Sequence, residues 1–225
     1  MSKEHRHQEA VRIVVVDDHP IVRQGIKMLT DQEADLDVCG EAESASEALR
    51  IVEKTRPDVA IVDLTLKDSF GLQLIKDIRR DCPNTHVLVL SMRDESLYAE
   101  RALRAGARGY VTKEEGPGKV IEGLRRILAG EVYVSEKMAS KVLSRFAEGE
   151  DPGQSPVEKL TDREMEIFRM IGEGLPAREI AEKLHVSVKT VDSHREHIKE
   201  KLGVGSASEL LRQALQWFQG SGDQQ

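Results

Sequence analysis

Short apolar runs alternate with helix-length amphipathic segments from Val11 to about Ala129, and few folds are compatible with such a rhythm. Val and Ile dominate the first and third runs, as is typical of strands buried on both faces of a parallel sheet. Parallel strands joined by helices require right-handed crossovers. We therefore predict an α/β fold with a doubly wound, five-stranded parallel sheet, built from the runs Val11–Val16, Leu36–Cys39, Val59–Val62, His86–Leu90 and Gly109–Val111.

Apolar residues at helical spacing predict the helices between these strands. The first of these helices has its apolar face at Ile21, Gly25, Met28 and Leu29.

The rhythm changes after Glu131. Residues 135–146 have the pattern of a connecting helix, and the segment AEGEDPGQSP is rich in Gly, Pro and acidic residues, which predicts a flexible linker. Beyond Val157 the pattern is helical, with capping signals at Thr161 and Ser187. We predict a first domain at residues 11–131 and a small all-α domain of four helices at residues 158–219. Residues 132–157 connect them, and residues 1–10 and 220–225 are predicted to be disordered.

Composition points to an ordinary globular protein, with 39% hydrophobic residues, 32% charged residues and a formal net charge of −7. The cysteines Cys39 and Cys82 are too few for a disulfide framework and fit a reducing cytoplasm. His5 and His7 lie in a charged N-terminal arm without the apolar core of a signal peptide, and two histidines are too few ligands for a metal. No run approaches the roughly 18 apolar residues that a membrane-spanning helix needs. We expect a cytoplasmic protein with no membrane partner.

Charged and polar side chains follow four of the predicted strands. Asp17 and Asp18 follow the first strand, Asp63 the third, Ser91 the fourth and Lys113 the fifth. Because the C-terminal ends of parallel strands share one edge of an open sheet, we expect these side chains to meet there. A single Asp at a strand end is usually a helix cap or a solvated acid, so the signal lies in the set.

Such a set suits phosphoryl transfer. Clustered carboxylates repel one another unless a cation lies among them, and Mg²⁺ is a hard divalent ion that prefers oxygen ligands. A carboxylate can attack phosphorus and form an aspartyl phosphate. Mg²⁺, the Lys113 ammonium and the Ser91 hydroxyl would then stabilise the phosphoryl oxygens.

Residues 11–131 resemble the receiver domains of two-component systems, through the segments IVVVDDHP, VAIVDLTL, VLVLSM and AGARGYVTKE. The resemblance implies a flavodoxin-like sheet in which Asp63 is the phosphoacceptor. It further implies that Ser91 and Lys113 contact the phosphoryl group, and that Mg²⁺ is held by Asp17, Asp18, Asp63 and the backbone carbonyl of Thr65.

Tyr110 matches the switch aromatic of receivers, whose ring swings inward when the hydroxyl residue, here Ser91, moves toward the phosphate. From sequence alone, Tyr110 is equally compatible with an ordinary strand aromatic. The chain departs from the family pattern at Lys67 and Glu114, where many receivers have Pro. Thr65 and Arg93 occupy the positions that tune the dephosphorylation rate in the family.

A short helix, a tight turn and a longer helix at residues 176–203 form the pattern of a helix-turn-helix. Residues 158–219 contain ten Lys or Arg against eleven Asp or Glu, a net charge of −1, so charge supports DNA binding only weakly. Charge and pattern alone leave two alternatives open, a DNA-binding domain and a helical bundle for protein contacts.

Residues 160–204 resemble the LuxR-type helix-turn-helix, through the L-T-x-R-E opening, the G-x-x-x-x-E-I-A step and the T-V-x-x-H…K-L-G-V recognition helix. The resemblance implies DNA contacts from the recognition helix. Val191 can touch a thymine methyl group or face the core, and we favour the core. Asp192 stands where several relatives have Lys, which suggests an altered sequence preference. The candidate DNA-contacting residues are Ser187, Lys189, Thr190, Ser193, His194, Arg195 and Lys199.

The two resemblances together are those of the NarL/FixJ class of response regulators. They imply a transcriptional regulator that is not an enzyme: a sensor histidine kinase phosphorylates Asp63 with Mg²⁺, and the helix-turn-helix domain is released or dimerises on double-stranded DNA. A homodimer is expected after phosphorylation. The rival predictions are a Mg²⁺-dependent phosphohydrolase, which usually has a second acid where this chain has Thr65, and a regulator whose helical domain binds only proteins.

Overall fold

The computed structural model describes residues 10–66, 70–93, 95–140 and 156–220. The chain divides into two compact units, residues 1–140 and 141–225. Residues 141–146 of the predicted connecting helix, residues 147–155 of the predicted linker and most of both predicted disordered ends lie outside the described residues, and so does the departure at Lys67. Residues 136–140, the start of the predicted connecting helix, are helical.

The first unit is a parallel sheet with helices between its strands, which confirms the predicted α/β fold. The strand order is β2-β1-β3-β4-β5, and every pairing is parallel. The strands are β1 (Val11–Val16), β2 (Leu36–Ala42), β3 (Val59–Val62), β4 (His86–Ser91) and β5 (Gly109–Thr112). The helices are α1 (Pro20–Thr30), α2 (Ala45–Thr55), α3 (Gly71–Asp81), α4 (Glu95–Ala105) and α5 (Pro117–Leu128).

The core of this unit lies on both faces of the sheet, as the Val- and Ile-rich runs predict. All four residues of β3 and the last four of β1 are buried. On one face, strand residues such as Ile13 and Leu88 pack in one cluster with Leu124 and Ile127 of α5. Two central strands that are covered on both sides can present polar groups only at their ends, and the C-terminal ends of parallel strands share one edge of the sheet.

The predicted apolar face of α1 was wrong. Ile21 and Met28 are 75% and 63% exposed, whereas Ile26 and Thr30 are buried. The buried stripe lies one residue further along the chain, and the sheet selects it because Val22 and Ile26 reach the core cluster. Thr30 can join this stripe because its hydroxyl donates hydrogen bonds to the carbonyl oxygens of Ile26 and Lys27, at 3.1 and 2.9 Å.

Within residues 156–220, every named element of the second unit is helical. A 3₁₀ turn at Pro156–Lys159 precedes α6 (Asp162–Gly172), α7 (Ala177–Lys183), α8 (Val188–Leu202) and α9 (Ala207–Gly220), one residue longer than the predicted end of the domain. Both capping signals are confirmed: Thr161 and Glu164 form a complete capping box, and the Ser187 side chain accepts a hydrogen bond from the Thr190 backbone. These caps satisfy backbone donors that no helical partner can reach.

None of the helices in the described part of the chain combines the length and the apolar character that crossing a membrane requires.

Candidate phosphoacceptor site and DNA-reading surface

The polar residues that follow the strands come together at one edge of the sheet. Backbone hydrogen bonds between neighbouring strands fix the positions of these residues. Asp63 N donates to Val16 O at 2.9 Å, and Lys113 N donates to Ser91 O at 3.0 Å. Asp17 and Asp63 are buried, and so is Ser91. The parallel topology therefore converts four separate positions in the sequence into one pocket.

Lys113 lies between two carboxylates of this pocket. Its Nζ is 2.6 Å from Asp17 Oδ2 and 2.6 Å from Asp63 Oδ2. Burial alone would lower the pKa of Lys113, but the hydrogen bonds to Asp17 and Asp63 outweigh it and raise the pKa. The lysine is thus held as a cation against the phosphoacceptor candidate.

Asp63 accepts hydrogen bonds from three directions. Ser91 Oγ donates to Asp63 Oδ1 at 2.8 Å, and the Thr65 backbone N–H donates to the same oxygen at 3.1 Å. Lys113 contacts the other oxygen. These donors hold the carboxylate in one orientation and surround it with the groups that would face a phosphoryl group attached to it.

Asp18 and His19 complete an acidic cluster with Asp17 and Asp63. One ligand atom from each of these four residues lies within 4.8 Å of the others. Asp18 Oδ1 is buried and accepts no hydrogen bond among the described residues, although His19 Nδ1 lies 2.7 Å away. His19 was not among the predicted site residues, yet its backbone N–H donates to Asp17 Oδ1 at 2.9 Å and orients that carboxylate. The feature that could have indicated His19 is its position directly after the paired acids of the IVVVDDHP segment.

Gly71 is a second site residue that was not predicted from the sequence. A Cβ atom at this position would clash with the carbonyl oxygen of Asp63 and would lie 2.9 Å from Leu64 Cα. The Gly71 backbone N–H also donates to Leu64 O at 2.9 Å. Only a residue without a side chain lets α3 begin this close to Asp63.

Tyr110 is buried, and its hydroxyl donates to the Arg93 carbonyl oxygen at 2.9 Å. Burial raises the pKa of Tyr110 well above its ordinary value, so the phenol stays protonated and remains a donor. Arg93 in turn connects back to the site, because its Nε donates to Thr65 Oγ1 at 3.2 Å. A chain of hydrogen bonds through Arg93 thus joins Thr65, two residues after Asp63, to the hydroxyl of Tyr110.

In the second unit, α7, a tight turn and α8 have the geometry of a helix-turn-helix. His185 in the turn has a left-handed backbone, with φ of 51°. Ser187 and Thr190 are exposed at the start of α8, where their hydroxyl oxygens lie 2.8 Å apart. Val191 is buried, which confirms its assignment to the core.

The other candidate DNA-contacting residues differ in exposure. Lys189 and Ser193 are exposed, and Ser193 Oγ donates back to the Lys189 carbonyl oxygen at 3.0 Å. Arg195 and Lys199 are half-buried, and Lys199 Nζ lies 2.8 Å from Glu196. Burial, followed by the positive charge of Arg163, lowers the pKa of His194.

Comparison with known proteins decides the family. Residues 13–125 match the model of the response regulator receiver domain, and residues 158–214 match that of the bacterial regulatory proteins of the luxR family. The chain belongs to the two-component response regulators of the NarL/FixJ class.

Similar proteins agree with this membership over most of the chain. The oxygen regulatory protein NreC of Staphylococcus carnosus is 37% identical to this response regulator over 210 residues, covering 91% of this chain and 97% of NreC. RcsB of Salmonella enterica, solved on a promoter with the phosphomimetic BeF3−, is 29% identical with a TM-score of 0.68, covering 92% of this chain and 98% of RcsB. A LuxR-family response regulator from Aurantimonas is 35% identical with a TM-score of 0.57, covering 62% of this chain and 99% of that protein.

Proposed function

We propose that this response regulator is a transcription factor that is switched by phosphorylation of Asp63. The observation that carries the proposal is the convergence of Ser91, Lys113 and the Thr65 backbone on one buried carboxylate. In the reaction, an Asp63 oxygen attacks the phosphorus of a phosphohistidine on a sensor kinase. The new P–O bond replaces the P–N bond, and the released imidazole takes up a proton.

We propose Mg²⁺ as the cofactor, held by Asp17, Asp18, Asp63 and the Thr65 carbonyl. The donor set fits, because it consists of hard oxygen ligands and includes Asp18 Oδ1, a buried oxygen that accepts no hydrogen bond from the described residues and has the His19 ring 2.7 Å away. When bound, the ion supplies positive charge to the oxygens of the transferring group. Lys113 neutralises part of the charge of Asp17 and Asp63 and is positioned to bind a phosphoryl oxygen.

We propose that Ser91 and Tyr110 transmit the change. A phosphoryl group on Asp63 would compete for the Ser91 hydroxyl, which now donates to Asp63. Movement of Ser91 would disturb Arg93, whose backbone N–H lies 3.4 Å from Ser91 Oγ and whose carbonyl oxygen accepts from Tyr110. Tyr110 can then exchange between two arrangements whose balance depends on phosphorylation.

We propose that α8 reads double-stranded DNA. Ser187 and Thr190 lie where free backbone N–H groups of a helix start meet phosphate, and Lys189 and Ser193 are exposed on the following turn. His194, Arg195 and Lys199 are the further candidate contacts. RcsB is seen on promoter DNA, which supports the proposal by similarity. A two-fold dimer would read half-sites about 10 bp apart, or a multiple of that spacing.

The cytoplasm is the proposed location, in agreement with the free thiols of Cys39 and Cys82. The rival prediction of a phosphohydrolase has little support, because Thr65 has no carboxyl group with which to act as a general acid and its hydroxyl accepts from Arg93.

The test is DNA binding to promoter fragments of the host, with and without acetyl phosphate and Mg²⁺. We expect the phosphodonor to tighten binding by the wild type and to leave Asp63→Asn unchanged. Equal binding in all conditions would show that the receiver is not the switch. Absence of binding to any fragment would favour a protein-binding role for the helical unit.

A further inference from the structure

Three potential metal ligands meet between α6 and α8, in the second unit. Glu164 lies in the first turn of α6, and His194 and His197 lie one turn apart on α8. One ligand atom from each residue lies within 4.8 Å of those from the other two. Two imidazoles and one carboxylate are a ligand set that Zn²⁺ takes in open sites, where water fills the fourth position.

The two imidazoles are available as ligands. Among the described residues, neither ring takes part in a hydrogen bond or an ion pair, although His194 is half-buried. His197 is exposed, so an ion can reach the cluster from solvent. A partly buried ring nitrogen without a partner is costly to keep, and a metal ion would satisfy it.

Glu164 has a free oxygen for an ion. Its Oε2 accepts hydrogen bonds from the Thr161 backbone and from Lys201 Nζ, at 2.7 and 2.6 Å, whereas Oε1 accepts none from the described part of the chain. The two neighbouring cations, Arg163 and Lys201, leave room for a metal ion. Arg163 is held by Glu166 and the Leu184 carbonyl oxygen, and the Lys201 side chain is 35% exposed and can rotate into solvent.

We propose that Glu164, His194 and His197 form a binding site for Zn²⁺ or a similar borderline divalent ion. The ion fastens the recognition helix α8 to α6 and stabilises the folded second unit, since the unfolded chain does not hold these three groups together. The site is separate from the acidic pocket of the receiver, where three carboxylates lie beside the single imidazole of His19 and favour Mg²⁺. The proposal stands whether or not α8 binds DNA, but it removes His194 from the candidate DNA contacts, because a ring that binds the ion lies against Glu164 of α6.

The test uses the full chain with His5→Gln and His7→Gln, which remove the two histidines of the N-terminal arm, and with Mg²⁺ in excess to occupy the receiver pocket. Zn²⁺ is titrated by calorimetry, and Co²⁺ is used as a spectroscopic probe. We expect one Zn²⁺ per chain and the visible absorption of tetrahedral Co²⁺. Adding His197→Gln should weaken Zn²⁺ binding at least about 10-fold, because the loss of a ligand costs no less than the loss of an outer partner.

His185→Asn, in the same His5/His7-substituted chain, is the matched control. His185 is exposed and lies outside the cluster, and Asn tolerates its left-handed backbone. This variant should bind Zn²⁺ as the parent does. Zn²⁺ should also raise the melting temperature, followed by the fluorescence of the single tryptophan, Trp217, in the parent but not in the His197→Gln variant. Equal Zn²⁺ affinity in parent and His197→Gln variant, or no saturable binding by the parent, would overturn the proposal.

Discussion

The pocket around Asp63 and the outer surface of α8 differ in how strongly the surrounding residues hold their side chains. Asp63 is 3% exposed and accepts hydrogen bonds from three other residues. Lys189 is exposed, and no ion pair of its side chain occurs among the described residues. Removing one partner of a buried polar group costs much folding stability, whereas removing a partner of an exposed group costs little. The pocket therefore tolerates few substitutions, whereas the exposed side chains on the outer surface of α8 can vary at little cost to stability.

The largest expected effect is in the pocket. Asp63→Asn removes the nucleophilic carboxylate but keeps the shape of the side chain, and we expect it to abolish phosphorylation by acetyl phosphate. A gel that retards phosphoproteins measures this. Asp77→Asn is the control, because Asp77 lies on α3 and pairs with Arg80 at 2.8 Å. Comparable phosphorylation of both variants would show that Asp63 is not the phosphoacceptor.

The backbone around the pocket should be nearly as sensitive as its side chains. Gly71→Ala introduces a Cβ against the Asp63 carbonyl oxygen, and such overpacking typically costs about 1–3 kcal/mol. Urea unfolding followed by circular dichroism measures the loss in the first unit. Gly118→Ala is the matched control, because a Cβ there meets nothing within 4 Å, and it should not destabilise the helix. A neutral Gly71→Ala would mean that α3 can move away from the pocket freely.

The ion pair between the buried Glu164 and the partly exposed Lys201 tests whether burial, and not the phosphoryl chemistry, makes a site sensitive to substitution. Lys201→Met leaves Glu164 without its cation, and after allowing for the partly exposed lysine we expect a loss of about 1 kcal/mol. Trp217 fluorescence during urea unfolding reports on this unit. Lys189→Met is the control for the loss of charge on α8.

The same pair predicts a pH dependence. Burial alone would raise the pKa of Glu164, but the hydrogen bonds from Lys201 and Thr161 outweigh it and lower the pKa. The stabilisation is therefore present above the pKa of Glu164 in the unfolded chain, and it is lost as the pH falls through the lower folded pKa. The stability difference between wild type and Lys201→Met should shrink in acid. A difference that is constant down to pH 3 would contradict the assignment.

The smallest effect on stability is expected for the exposed side chains on the outer surface of α8. Lys189→Ala should leave the unfolding free energy within about 0.5 kcal/mol, yet lower DNA affinity and reduce the salt slope of binding by about 1. Arg212→Ala removes the same charge from α9 and should change neither quantity in this way. Equal effects of the two variants on the salt slope would show that Lys189 acts only through net charge.

The pocket was predictable because its chemistry depends on topology. Once five strands are parallel, the residues that follow their C-terminal ends must lie at the same edge of the sheet. The assignment of the strands was therefore enough to predict that Asp17, Asp63, Ser91 and Lys113 cluster. His19 and Gly71 were missed for different reasons. His19 is the residue after the paired acids and was not considered as a partner, and the role of Gly71 depends on how closely α3 approaches the loop after β3.

The sequence alone determined the strand–helix rhythm, the helix caps and the set of chemical groups, because these follow from periodicity and from hydrogen bonds between residues near in sequence. Tertiary structure decided which of two equally spaced stripes α1 buries, since the sheet accepts Val22 and Ile26 and leaves Ile21 exposed. It also decided that Val191 packs in the core and that Glu164 meets His194 and His197. Local patterns define the faces of a helix, but only packing against another element chooses among them.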